Sequence, residues 1–329
     1  MSKSIGLLMI FAAAVAAPVA ASAQSYPTKP VSIVVPFTAA GPSDVMGRLL
    51  AKSMANSLGQ PVNVENIAGA GGATGSARVA KAAPDGHTLL LHHFAHAASP
   101  AIYPSLAFDP VKDFEPIGLV SYGPYMLVAR TSLPVKNAAE ALKYIRDNKE
   151  KVTLGHAGLG SGSHLTNIML RSALGKVKVT EKGYRGTGPA MTDLAAGQID
   201  FLMDQSVNVV PQVKQGTIRV LAVTSSTRMA AFKDVPTLQE AGLKGFEVTQ
   251  WFALYAPKGT PKPVLDKLSA ALEKTLQEKE TIDQINALGS EVFPVGKRGP
   301  VDARKRLEAE VVRWQKVIKD SGVDFKEAK

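Results

Sequence analysis

Apolar positions along the chain follow two periods in turn. Residues 31–37 form a continuous apolar run bounded by prolines, which suits a strand buried on both faces. Met46, Leu49, Leu50, Met54 and Leu58 then recur at helical spacing, and Gly59 supplies the stop signal. Leu89-Leu90-Leu91 and Met126-Leu127-Val128 predict further strands, and residues 152–155 another ahead of a helix over 164–174. Strands over 199–203, 219–224 and 251–255 come next. Leu265, Leu268, Leu272 and Leu276 make one helix face, with Pro263 near its first turn. Leu307, Val311, Trp314 and Ile318 fall at i, i+4, i+7 and i+11, a core-facing stripe opposite a charged face.

Alternating strands and helices are the mark of α/β layering. The chain shows neither a 20–50-residue repeat nor a low-complexity linker, which excludes solenoids and propellers. Two lobes without a linker imply more than one crossing between them, expected near residues 121–125 and 224–228. The first lobe then comprises residues 24–123 with 226–329, and the second 124–225.

The N-terminus changes this picture only by removing itself. Lys3 precedes an apolar run over residues 5–17, and Ala21-Ser22-Ala23 matches the small-x-small pattern of a secretory signal peptide cleaved after Ala23. That run falls short of the ~20 residues of a spanning helix, and Pro18 ends it. The mature protein is expected in the periplasm. Cysteine is absent, which excludes disulfides and a lipid-modified cysteine at the cleavage site. The net charge is +10. The positive residues are scattered among acidic ones, which argues against nucleic-acid binding and leaves a field that attracts anionic solutes.

Two strand-to-helix turns carry the candidate chemistry. The first runs Phe37-Thr38-Ala39-Ala40-Gly41-Pro42-Ser43-Asp44, and the second His156-Ala157-Gly158-Leu159-Gly160-Ser161-Gly162-Ser163-His164. Small residues let a ligand approach the backbone, and free N–H groups at a helix N-terminus hold anions. In open α/β sheets, ligands bind at such turns beyond the carboxyl ends of the strands. Ser43 and Ser163 also suit plain helix caps, but capping alone does not need Gly158, Gly160 and Gly162 within five residues. One turn per lobe makes a clamp for a small carboxylate. His93, Phe94 and His96 follow a core strand and are expected at the distal end of the ligand, with His156 facing them. Phe94 or Phe37 would cover a ring, as an aromatic acid such as a phthalate isomer requires. Charged imidazoles there would raise affinity as the pH falls from 8 to 6. Asp204 would favour an amino group.

Other motifs reduce to structure. Gly69-Ala70-Gly71-Gly72-Ala73-Thr74-Gly75 departs from both nucleotide-loop patterns and predicts a tight turn that opens a helix. His92, His93 and His96 have no nearby carboxylate to complete a metal site, so no metal or cofactor is expected. No G-x-S-x-G elbow exists, and Ser163 and His164, adjacent on a helix, do not face each other. Neither a carboxylate pair nor a catalytic base emerges, so the chain is not read as an enzyme.

Taken in order, the segments resemble a Bug-type substrate-binding protein of the tripartite tricarboxylate transporters. The matching pieces are Tyr26-Pro27-x-Lys29-Pro30, Val34-Val35-Pro36-Phe37, Gly59-Gln60-Pro61-Val62 and Val64-Glu65-Asn66 with Gly69-Ala70-Gly71-Gly72. Pro84-Asp85-Gly86, Asp109-Pro110-x-Lys112-Asp113-Phe114, Leu221-Ala222-Val223-Thr224 and Ala256-Pro257-x-Gly259-Thr260-Pro261 follow. The resemblance implies a two-lobed periplasmic binding protein fold, type II-like, with a ligand cleft between the lobes. It implies a monomer that closes on a di- or tricarboxylate or an aromatic acid and delivers it to membrane permease subunits. It also implies that the two turns hold the proximal carboxylate, partly through ordered water. Three positions depart from the pattern: Ala40-Gly41 stands where two glycines are usual, His156 where a small residue is, and Glu181-Lys182 near the place of a usual histidine. A sensory subunit presenting its ligand to a membrane kinase is the alternative on the same fold; a secreted hydrolase would need a nucleophile and base that the sequence lacks.

Overall fold

The computed structural model describes residues 26–323 and Phe325; the leader and its cleavage site lie outside the described residues. In chain order, β1 (Val31–Val35) and α1 (Pro42–Leu58) lead to β2 (Val62–Asn66), a 3₁₀ turn at Ala70–Gly72 and α2 (Ala73–Ala80). The glycine run 69–75 is thus a turn that opens a helix. β3 (Thr88–His93) and α3 (Ala95–Ile102) precede the long β4 (Phe114–Arg130). Next come α4 (Ala138–Asn148), β5 (Thr153–His156), α5 (Gly162–Ala173), β6 (Thr180–Gly183), α6 (Thr187–Ala195), β7 (Phe201–Gln205), α7 (Ser206–Lys214) and β8 (Ile218–Val223). The chain ends in β9 (Thr249–Pro257), α8 (Lys262–Thr275), α9 (Lys279–Ala287), β10 (Glu291–Val292) and α10 (Pro300–Ser321). Among the described residues no helix is long and apolar enough to cross a membrane.

One strand serves two sheets. The N-terminal part of β4 pairs antiparallel with β9, from Phe114↔Pro257 to Pro124↔Thr249, and completes a sheet ordered β2-β1-β3-β9-β4. From Tyr125 onward the same strand pairs with β7 and β8, and β7 continues to β5 and β6. Alternation along the strands sorts side chains to opposite faces. Val31, Ile33 and Val35 pack with Met46, Leu50 and Met54 of α1 and Leu268 of α8. Val34 and Leu90 face the other way, onto a core that includes Val79, Phe94, Leu307 and Trp314. That core runs on through Leu127, Leu165 and Ile168, so both sheets share it. The third cluster, with Met126, Val128, Met191 and Leu194, backs the second sheet. In α10 the stripe of Leu307, Trp314 and Ile318 is buried, while Val311 is partly covered.

The chain passes between the sheets twice, within β4 at residues 124–125 and between β8 and β9, and Thr224 ties the two passages together. Its hydroxyl accepts the Tyr125 N–H at 2.8 Å and donates to the Val248 carbonyl at 2.6 Å. Its own N–H donates to the Tyr125 carbonyl at 2.9 Å.

Candidate functional site

Three helices begin at one point between the sheets. Thr38, Gly41, Pro42 and Ser43 at the start of α1 meet Ala157, Ser161, Gly162 and Ser163 at the start of α5. Gly186 and Thr187 at the start of α6 join them, and Phe37, His93, Tyr125 and Gln205 complete the wall. The first N–H groups of a helix have no intrahelical acceptor, and each macrodipole places roughly half a positive charge at that end. Among the described residues no Asp, Glu, Lys or Arg lines the cavity. The arrangement favours an anion held by neutral donors.

The walls nearly touch. The cavity measures about 20 Å³, room for about one water. Across it, Tyr103 donates its hydroxyl to the Leu159 carbonyl at 2.7 Å. A Cβ at Gly71 would lie 2.3 Å from that same carbonyl oxygen, and one at Gly186 would lie 2.2 Å from Thr38 Oγ1. Entry of any organic acid therefore requires the sheets to part. The two larger grooves, of about 1000 and 990 Å³, share Tyr122, Glu247, Thr249, Phe293 and Pro294 and include none of the turn residues.

Side chains buttress each turn from behind. Ala40 is held in the left-handed region at φ 62°. The buried Asp44 carboxylate accepts the Ala40 N–H at 2.9 Å, Asn66 Nδ2 at 3.0 Å and Arg48 Nε at 3.0 Å. Burial opposes the Asp44 charge, but these hydrogen bonds outweigh it and hold the pKa below the usual range. In the second turn, Ser163 Oγ accepts the Ala157 N–H at 2.8 Å, His156 Nδ1 the Gly158 N–H at 3.2 Å and His164 Nδ1 the Gly160 N–H at 3.1 Å. Ser161 caps α5 by accepting the His164 N–H. The amides of Ala157, Gly158 and Gly160 are thus spent inside the turn. The donors left for a ligand are those of the helices' first turns, with Ser43, Gly162, Ser163 and Thr187 lining the cavity.

The structure therefore divides the residues that the sequence nominates. Phe37, Thr38, Gly41, Ser43, His93, Ser161 and Ser163 line the cavity; Ala39, Ala40, Asp44, Gly158, Gly160 and His164 shape the turns without lining it. Phe94 is fully buried and stacks on Trp314 at 4.9 Å, turned away from any ligand ring. His96 is likewise buried, stacked on Phe108 and edge-on to Phe114. His156 packs against His164 at 4.6 Å outside the cavity. Asp204 sits behind the wall, fully buried, accepting the Gln205 N–H at 2.8 Å and a hydrogen bond from Asn208. Burial raises its pKa to about 7.

Burial also keeps the histidines neutral. It pushes the pKa of His93, His96 and His164 down to about 3 and lowers those of His92 and His156. His93 Nδ1 accepts the Ala95 N–H at 3.2 Å, so Nε2 carries the ring hydrogen. A neutral His93 donates at any pH near 7, which removes the protonation argument for affinity rising toward pH 6. His156, His164 and Glu181 bring ligand atoms within 4.8 Å of one another. Yet the Nδ1 atoms of both histidines accept backbone N–H groups, which places hydrogens on Nε2, and Arg171 pairs with Glu181. The cluster offers a cation few free lone pairs.

Pro42, Ala157 and Gly162, which lie within the two turns that the sequence marks, also line the cavity, whereas sequence reasoning missed Tyr125, Gly186, Thr187 and Gln205. Gly186-Thr187-Gly188-Pro189 carries a readable signal, small residues with proline in a first helical turn. Tyr125 and Gln205 carry none, because Tyr125 projects from within the long β4 and Gln205 from the end of β7, both core strands.

Residues 46–323 match the model of the family described as "Tripartite tricarboxylate transporter family receptor". The chain belongs to that family. Its relatives include a UPF0065 protein of Agrobacterium vitis from the TAR-I ttuE-ttuC' intergenic region, 44% identical, covering 92% of this chain and 88% of the relative. Among solved structures, the periplasmic binding protein BugD is 41% identical with a TM-score of 0.88, covering 91% of this chain and 99% of BugD. MatC from Rhodopseudomonas palustris, solved with bound malate, is 40% identical with a TM-score of 0.86, covering 89% and 100%. The fold of this receptor is accordingly that of periplasmic binding proteins, and its relatives are binding proteins rather than enzymes.

Proposed function

We propose that this receptor is exported, cleaved after Ala23, and captures a small di- or tricarboxylate for delivery to the permease of a tripartite tricarboxylate transporter. The observation that carries the reading is the meeting of three helix N-termini on a cavity without a formal charge. Residues 24–123 with 226–329 and residues 124–225 act as two lobes that pivot at Thr224. MatC, at 40% identity, was solved with a C4 dicarboxylate. Delivery of a ligand requires reversible closure, which a site built from dipoles and neutral donors permits more readily than one built on arginine. A thermal-shift panel of carboxylates, sugars and neutral amino acids tests the reading. A carboxylate at about a hundredfold over Kd should add ~2.7 kcal/mol of stability. Shifts from sugars or neutral amino acids, with none from acids, would refute it.

A further inference from the structure

The cavity wall is rich in donors: helix amides, the His93 ring N–H and the hydroxyls of Thr38 and Tyr125. Gln205 differs. It is 5% exposed, its Nε2 donates to Tyr125 Oη at 3.2 Å, and its Oε1 is buried without a partner among the described residues. A carbonyl oxygen cannot donate, so only a ligand that brings its own O–H or N–H satisfies it, and an unmet buried acceptor costs free energy. Beside it, Tyr125 Oη has accepted from Gln205, and its hydrogen has no acceptor among the described residues. The two side chains thus present one acceptor and one donor side by side.

A hydroxyl group matches that pair, because it donates and accepts at once. An ammonium group only donates, and would leave the Tyr125 hydrogen unmet. It would also lack a counter-charge, since no carboxylate among the described residues lines the cavity. Asp204, the nearest acid in sequence, turns its oxygens to the Gln205 N–H and to Asn208. The geometry points to a 2-hydroxy acid as ligand, with Gln205 and Tyr125 selecting it over the unsubstituted and the 2-amino analogues. This inference rests on the carboxylate reading above.

The test is calorimetry on matched sets: malate, succinate and aspartate, then 2-hydroxyglutarate, glutarate and glutamate. Within the set that binds, the hydroxy acid should exceed both analogues by about tenfold or more, as expected of a site built to bond a hydroxyl. Gln205→Leu should bring the hydroxy-to-unsubstituted ratio near one, and Tyr125→Phe should lower it. The Tyr125→Phe ratio stands as the check if Gln205→Leu fails to fold. Equal wild-type affinities, a preference for the amino acid, or a ratio that survives in the folded variants would overturn the selection while leaving the carboxylate reading intact. Failure of every carboxylate in a wider panel would instead remove that reading, and this inference with it.

Discussion

The Thr224 hydroxyl accepts the backbone N–H of Tyr125 at 2.8 Å, at the point where β4 leaves one sheet for the other. The same oxygen donates to the Val248 carbonyl on the returning chain. A single fully buried threonine thus holds the passages between the two sheets in register. Thr224→Val, nearly isosteric, would leave the Tyr125 N–H without its side-chain acceptor. Such a loss costs about 1–3 kcal/mol, and urea unfolding measured side by side with wild type should show it.

Ala40 holds a left-handed conformation that an alanine Cβ disfavours by about 1–2 kcal/mol. Glycine adopts it freely, at some cost in chain entropy. Ala40→Gly should therefore stabilise the protein by roughly 0.5–1 kcal/mol, read as a raised melting temperature. Asp44→Ala should do the reverse, since Asp44 ties down the Ala40 amide.

Gly162 lies under the Tyr125 hydroxyl: a Cβ there would sit 2.1 Å from that oxygen. Tyr125 is buried and anchored by Gln205, so the clash is not relieved by a rotamer change. Gly162→Ala should cost about 1–3 kcal/mol through overpacking. Titration with any acid that shifts the wild-type melting curve should show affinity lowered by an order of magnitude or more.

The buried histidines set the acid limit of the fold. Their folded pKa values lie below the unfolded value near 6.5, about 3 for His93, His96 and His164. The unfolded chain binds more protons below pH 6.5, so their contribution is complete above that pH and is lost as the pH falls toward 3. Asp204 acts in the opposite sense, with a folded pKa of about 7 above its unfolded value, so its burial costs progressively more as the pH rises from ~4 to 7. Histidines outnumber it, and melting temperature should climb between pH 4 and 6.5 and level off above 7. Asp204→Asn should stabilise the protein more at pH 8 than at pH 4. Ligand affinity should stay flat from pH 8 to 6.

The α/β class and most core strands were legible because the sequence writes them in apolar runs that match the pleat. Residues 219–224 read as a strand and form β8 with Thr224 just beyond it. β6 was not legible: Thr180-Glu181-Lys182-Gly183 is a polar edge strand with little surface to bury. Within the site, Ser163 was visible because serine and glycine before a helix form a local signal. Phe94 and His96 looked like ligand contacts because they follow β3, but α3 begins at once and turns both into the core. Gln205 is the converse case, since nothing near it in sequence marks the cavity that distant helices bring to it.

The strand order has a consequence for assembly. β5 to β8, and the part of β4 they pair with, lie within one continuous stretch of chain, so the second sheet needs nothing made later. The first sheet cannot close in that way, because β9 enters between β3 and β4. A chain emerging from its N-terminus must hold β3, with the apolar Leu89-Leu90-Leu91, as a bare edge until residue 249 arrives. Such an edge invites wrong partners, and long-range pairing of this kind is slow to form. The second sheet is poised to fold first and the first to close only after β9 arrives, leaving the edge of β3 as the surface a chaperone would meet.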